Sequence, residues 1–93
     1  VVCKDGFSMS VQASINHYCS PKLNGKNNKY SSVEIGFPSE IEELLIDYAE
    51  NPDKPTKTVY GYVPAKLILD VIEKHGGMVG GELPKLEILG QGE

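Results

Sequence analysis

His17-Tyr18-Cys19 places an imidazole two residues from a thiol, the pair with which a histidine base turns a cysteine into a nucleophile. Residues at i and i+2 need not face each other, however. No third group to orient the imidazole stands nearby, and no nucleophile elbow precedes Cys19. Cys3, His17 and Cys19 are also three zinc-type ligands, but the chain has neither Cys-x-x-Cys nor His-x-x-x-His spacing, so no metal or other cofactor is expected. Binding suits the segment better than catalysis: His17, Tyr18, Ser20 and Lys22 lie on a loop and offer ring, hydroxyl and ammonium contacts.

A second candidate surface lies just upstream, in Phe7-Ser8-Met9-Ser10-Val11-Gln12-Ala13-Ser14. Apolar side chains occupy one parity, and Ser8, Ser10, Gln12 and Ser14 the other. A strand sends alternate side chains to opposite faces, so this ribbon has one buried side and one uncharged hydroxyl- and amide-bearing side. Such a row suits contact with a partner. Two other features invite chemistry and do not support it. Gly76-Gly77 and Gly80-Gly81 lack the Lys-Ser/Thr ending of a phosphate loop. The acids of residues 40–53 read as a solvated helix face.

The elements that position these residues follow from local pattern. Asp5-Gly6 between Val1-Val2-Cys3 and Phe7 predicts a hairpin, since glycine accepts the positive φ of a tight turn. Residues 15–29, with four Asn, a Gly and a Pro, predict a long irregular and mobile loop. Tyr30 to Phe37 reads as a strand with Val33, Ile35 and Phe37 inward. Ser39-x-x-Glu42 reads as a capping box opening a helix whose inner stripe is Ile41, Leu44, Leu45 and Tyr48. After the turn-rich Glu50–Thr56 connector, Thr58 to Val63 predicts a third strand. Pro64 fits the first turn of a second helix with Ile68, Val71, Ile72 and His75 inward, closed by Gly76. Residues 76–93 read as a flexible tail in which Leu83–Leu89 supplies an edge strand and Gly90–Glu93 frays.

These elements predict an α+β fold, an antiparallel sheet of about four strands with two helices packed on one face, in a single domain over residues 1–93. On the third strand, Val59, Gly61 and Val63 are small, and Gly61 would admit a close-packed helix. Tyr60 and Tyr62 then either join the Ser8–Ser14 row and Glu34 on the open face, where tyrosine suits an interface, or both face the core.

Totals bound the function. Ninety-three residues, 40% hydrophobic and 24% charged, describe one ordered domain with a thin core, for which a homodimer would supply extra burial. Residues 1–38 carry four lysines against two acids, and residues 39–93 five lysines against eleven acids, for a net charge of −4. There is no arginine. An acidic chain without guanidinium forks is ill suited to nucleic acid. No apolar run in these residues is long enough to span a bilayer or follows a basic segment as a secretory leader does, and two cysteines do not make a disulfide scaffold. A cytoplasmic protein without nucleic-acid or membrane partners is expected.

The strings Gly-Phe-Ser-Met-Ser-Val-Gln-Ala-Ser, His-Tyr-Cys-Ser-Pro, Ser-Val-Glu-Ile-Gly-Phe-Pro-Ser, Tyr-Ala-Glu-Asn-Pro, Thr-Val-Tyr-Gly-Tyr-Val-Pro and His-Gly-Gly, over roughly residues 4–77, resemble small open reading frames of phages and prophages. That resemblance implies an accessory protein acting by binding, such as an inhibitor of a bacterial defence component that occupies a host protein or sequesters a small ligand in the host cytoplasm. It supplies no catalytic residues. The expected function is therefore non-catalytic binding through Ser8, Ser10, Gln12, Ser14, His17, Tyr18, Ser20, Lys22, Tyr60 and Tyr62. A small cysteine enzyme built on Cys19 and His17, and a structural component of a phage particle, are the alternatives.

Overall fold

The Asp5-Gly6 hairpin forms as the local sequence predicts. Cys3 N–H donates to Phe7 C=O at 2.8 Å, Gly6 N–H donates to Cys3 C=O at 3.0 Å, and Gly6 sits at φ 95°. Asp5 Oδ1 accepts the Phe7 N–H at 2.9 Å, which fixes the turn. The computed structural model describes residues 1–24 and 28–88.

Among the described residues five strands make two antiparallel sheets rather than one sheet of about four: β1 (Val2–Cys3), β2 (Ser10–Gln12), β3 (Ser32–Gly36), β4 (Val59–Pro64) and β5 (Met78–Gly80). The larger sheet has the order β2-β3-β4, and β1 pairs with β5. The glycine-rich segment after Gly77, expected as flexible tail, is thus a strand, because β1 offers it a ladder. Of the edge strand expected at Leu83–Leu89, the described part makes a single parallel bridge, Leu86 with Tyr30. Leu89 and the expected fraying of Gly90–Glu93 lie outside the described residues.

Helix α1 (Ala65–Lys74) presents Ala65, Ile68, Val71 and Ile72 to the core, as their spacing requires. Pro64 is its N-cap, one residue earlier than predicted, and the last residue of β4. Gly76 and Gly77 both take positive φ and end the helix, with Gly77 N–H donating to Ile72 C=O at 2.9 Å. Val33, Ile35, Leu45, Tyr60, Val63, Ile68 and Val71 are sealed between sheet and helix. Each such side chain contributes about 1.5–3 kcal/mol by leaving water.

The expected first helix is instead a 3₁₀ helix, Glu43–Tyr48. The capping box does not form. Ser39 Oγ accepts the Ser8 N–H at 2.9 Å, and Glu42 becomes the N-cap, its carboxylate accepting the Leu44 N–H. Leu45 reaches the core, but Ile41 and Leu44 are exposed, so the predicted stripe does not exist as a buried face. Phe37, expected inward, stands 61% exposed at φ 46°.

Candidate functional site

On β4 the two-residue alternation breaks. Ile35 pairs with Tyr60 and Val33 with Val63, so Gly61 and Tyr62 together face Glu34 across a bulge. The extra residue sends Tyr60 and Tyr62 to opposite sides, an outcome in neither reading of the sequence. Tyr60 is fully buried, its hydroxyl donating to Pro55 C=O, and it leaves the candidate site. Tyr62 stays 45% exposed and takes φ 53°, a left-handed conformation that bulky L-residues avoid.

The segment after His17 lies across this bulge. Tyr18 C=O accepts the Tyr62 N–H at 3.0 Å, and Tyr18 N–H donates to Glu34 Oε1 at 3.1 Å. Gly61 permits the approach: a Cβ there would lie 3.2 Å from Tyr18 Cβ. The close-packed neighbour of Gly61 is therefore this loop and not a helix. The Tyr18 and Tyr62 rings stand 6.0 Å apart at 38°, and Lys22 Nζ lies 5.6 Å from the first ring centroid and 5.9 Å from the second. Tyr48 and Glu50 join Tyr18, Gly61 and Tyr62 around an open cavity of about 270 Å³.

The serine row follows the predicted parity only in part. Phe7 and Met9 are buried, while Ser10 pairs with Gly36 and Gln12 with Glu34 on the side away from the core. The row is largely occupied by its own chain. Ser8 bonds Ser39 through its backbone, donating its N–H to Ser39 Oγ and accepting the Ser39 N–H, and Gln12 Nε2 donates to Ser10 Oγ at 2.7 Å. Ser14 Oγ accepts the Asn16 N–H and bonds His17 Nδ1 at 2.6 Å. Ser20 pairs with Ser32 through its backbone. Gln12 and His17 border a wider groove of about 840 Å³ between β2 and residues 81–85.

Cys19 is buried, with its thiol donating to Ser14 C=O at 3.2 Å, while the His17 ring engages Ser14 Oγ. Both cysteines are free thiols, and burial pushes the Cys3 thiol above its ordinary pKa. Among the described residues no group of three or more His, Cys, Asp or Glu could hold a metal ion, and no helix is long and apolar enough to cross a membrane.

A charged cluster that the sequence reading missed ties three segments together. His75 is buried beneath the N-terminal turn and bonds Asp5 Oδ2 through Nδ1 and Glu42 Oε1 through Nε2, each at 2.6 Å. Phe7 stacks on the imidazole at 4.1 Å, and Lys74 Nζ donates to Glu42 Oε2 at 2.9 Å. Burial opposes the charged imidazole, but the two carboxylates outweigh it and raise its pKa. Burial likewise opposes the Glu42 carboxylate, and the Leu44 amide, Lys74 and His75 outweigh it and lower its pKa. Every strong acceptor here is engaged within the chain, which makes the cluster a structural clasp.

Of the expected site residues, the fold gathers Tyr18, Lys22 and Tyr62, and adds Tyr48, Glu50 and Gly61. A glycine between two strand tyrosines was the available signal for a bulge and a close backbone approach. Comparison with protein-family models, curated proteins and solved structures finds no match for this chain.

Proposed function

We propose that this domain is a non-catalytic binding protein whose docking surface is the Tyr18–Tyr62 pair with Lys22. The observation that carries this reading is the backbone of Tyr62. A left-handed tyrosine costs on the order of 1–3 kcal/mol, and here the strain holds an exposed ring beside a second exposed ring. Exposed tyrosines held rigidly give a partner large contact area at little entropic cost. The resemblance of residues 4–77 to phage accessory proteins supports an inhibitory role, with a host defence protein as the partner. Cys19 Sγ and the His17 ring bond the carbonyl and the hydroxyl of Ser14 and not each other, which supports binding over thiol chemistry.

The test is comparative capture from a bacterial lysate, using the wild-type chain, Tyr18→Ala, Tyr62→Ala and the distant control Phe37→Asn. A stoichiometric protein retained by wild type and control, and lost by both tyrosine variants at unchanged Tm, is the expected result. Equal retention by all four overturns the choice of surface.

A further inference from the structure

The cavity beside Gly61 has a composition that selects a particular chemistry. Three tyrosines, Tyr18, Tyr48 and Tyr62, wall it, and Glu50 stands among them. Aromatic faces attract cations electrostatically, and a carboxylate at the rim adds to that attraction while repelling anions. The chain already illustrates the preference. Lys22 Nζ lies within 6 Å of two of the ring centroids, and among the described residues no carboxylate lies within 4 Å of it. Its ammonium is thus held by rings and not by an ion pair.

We propose that Tyr18, Tyr48, Tyr62 and Glu50 form a cage for an alkylammonium group, the lysine side chain of a partner protein, and that Lys22, whose ammonium lies over two of these rings, competes with it. This rests on the docking surface proposed above and names the chemistry it recognises. Charge complementarity supports the same occupant, since residues 39–93, which supply Tyr48, Glu50 and Tyr62, carry eleven acids against five lysines. Two tyrosine phenols alone would suit many ligands; three rings with a carboxylate, two of them already facing an ammonium, favour a cation over an anion or a neutral apolar group.

Choline and its neutral isostere 3,3-dimethylbutan-1-ol, titrated separately and followed by proton NMR of the tyrosine rings, test this on the whole chain. Choline is expected to shift the Tyr18 and Tyr62 ring signals saturably. The neutral isostere should bind about 2- to 5-fold more weakly for each ring contributing a cation–π contact. Lys22→Ala should tighten choline binding, because the competing ammonium is gone. Glu50→Gln and Tyr62→Leu should weaken it, and Tyr62→Phe, which keeps the ring, should retain it. Equal binding of the isostere, no choline binding, or unchanged or weaker binding in Lys22→Ala would overturn the cage. Should partner capture still depend on Tyr18 and Tyr62 in that event, the docking surface stands and only its cation selectivity falls.

Discussion

His75 Nε2 and Glu42 Oε1 meet at 2.6 Å although 33 residues separate them, and both side chains are buried. With Asp5 on the other ring nitrogen, the imidazole when protonated donates from both nitrogens, flanked by two carboxylates and by Lys74 from its own helix. The cluster joins the N-terminal hairpin, the start of the 3₁₀ helix and the end of α1. It follows that part of the stability of this domain depends on pH.

The signs run in opposite directions at the two ends. His75 titrates higher in the fold than its ordinary 6.5, so its contribution is complete below about pH 6.5 and is lost as pH rises through the folded value. Glu42 titrates lower than its ordinary 4.5, so its contribution is complete above about pH 4.5 and is lost as pH falls through the folded value. The Asp5 carboxyl, lowered first by the Phe7 amide and then by His75, acts in the same sense as Glu42. Thermal melting across pH should therefore show a plateau between about 4.5 and 6.5, with Tm falling on both sides. His75→Gln should flatten the alkaline limb, and an unaltered limb in that variant would remove His75 as its cause.

Breaking the clasp from its buried and its exposed ends should have unequal effects. Glu42→Ala leaves the buried His75 ring and Lys74 without their shared carboxylate and is expected to cost about 3–5 kcal/mol in chemical denaturation. Lys74→Ala removes a partner whose side chain is half exposed and should shift the midpoint far less. Comparable losses in the two variants would contradict the burial order.

Tyr60 and Tyr62 separate stability from binding. Tyr60 is fully buried, so Tyr60→Ala should destabilise by about 3–5 kcal/mol, and Tyr60→Phe, which strips the Pro55 carbonyl of its donor, by about 1–2 kcal/mol. Tyr62→Ala deletes an exposed ring from a strained backbone and should leave Tm nearly unchanged while removing partner capture. Gly61→Ala belongs with Tyr62: its Cβ would meet Tyr18 Cβ at 3.2 Å, so the exposed Tyr18 ring shifts and binding falls more than Tm.

The division between what was legible and what was not follows the range of the forces. The Asp5-Gly6 turn, the Ile68–Val71–Ile72 face and the Gly76 stop are set by neighbours a few residues away, and all three form. The 3₁₀ helix departs from its local pattern because the Glu42 carboxylate is drawn to His75 and Lys74, 33 and 32 residues on, and because Ser39 pairs with Ser8. Strand parity carries Tyr60 correctly only if the bulge at Gly61 is known, and that bulge depends on where Tyr18 lands. Tyr18, Lys22 and Tyr62 were nameable from residue type; their convergence with Tyr48 and Glu50 is a property of the fold.

The cysteines give a direct check on the catalytic alternative. Cys3 and Cys19 are both 1% exposed, and the Cys19 thiol is held by backbone carbonyls. Alkylation by iodoacetamide at neutral pH should be slow for both in the native chain and complete once denaturant is added, since a sheltered thiol reacts through opening. Fast, selective labelling of native Cys19 would reinstate a reactive thiolate.

Phe37 offers a test of strain away from the docking surface. Its φ of 46° is left-handed and its ring is 61% exposed, so the side chain gains little burial to offset the backbone cost. Left-handed geometry costs an ordinary L-residue roughly 1–2 kcal/mol, and asparagine tolerates it better because its short amide bonds to the local backbone. Phe37→Asn should accordingly raise stability by about 0.5–1 kcal/mol in urea denaturation, with the m-value unchanged. A net loss would mean that the Phe37 ring makes contacts worth more than the strain it imposes, and the left-handed turn before Pro38 would then be held by that ring and not merely tolerated.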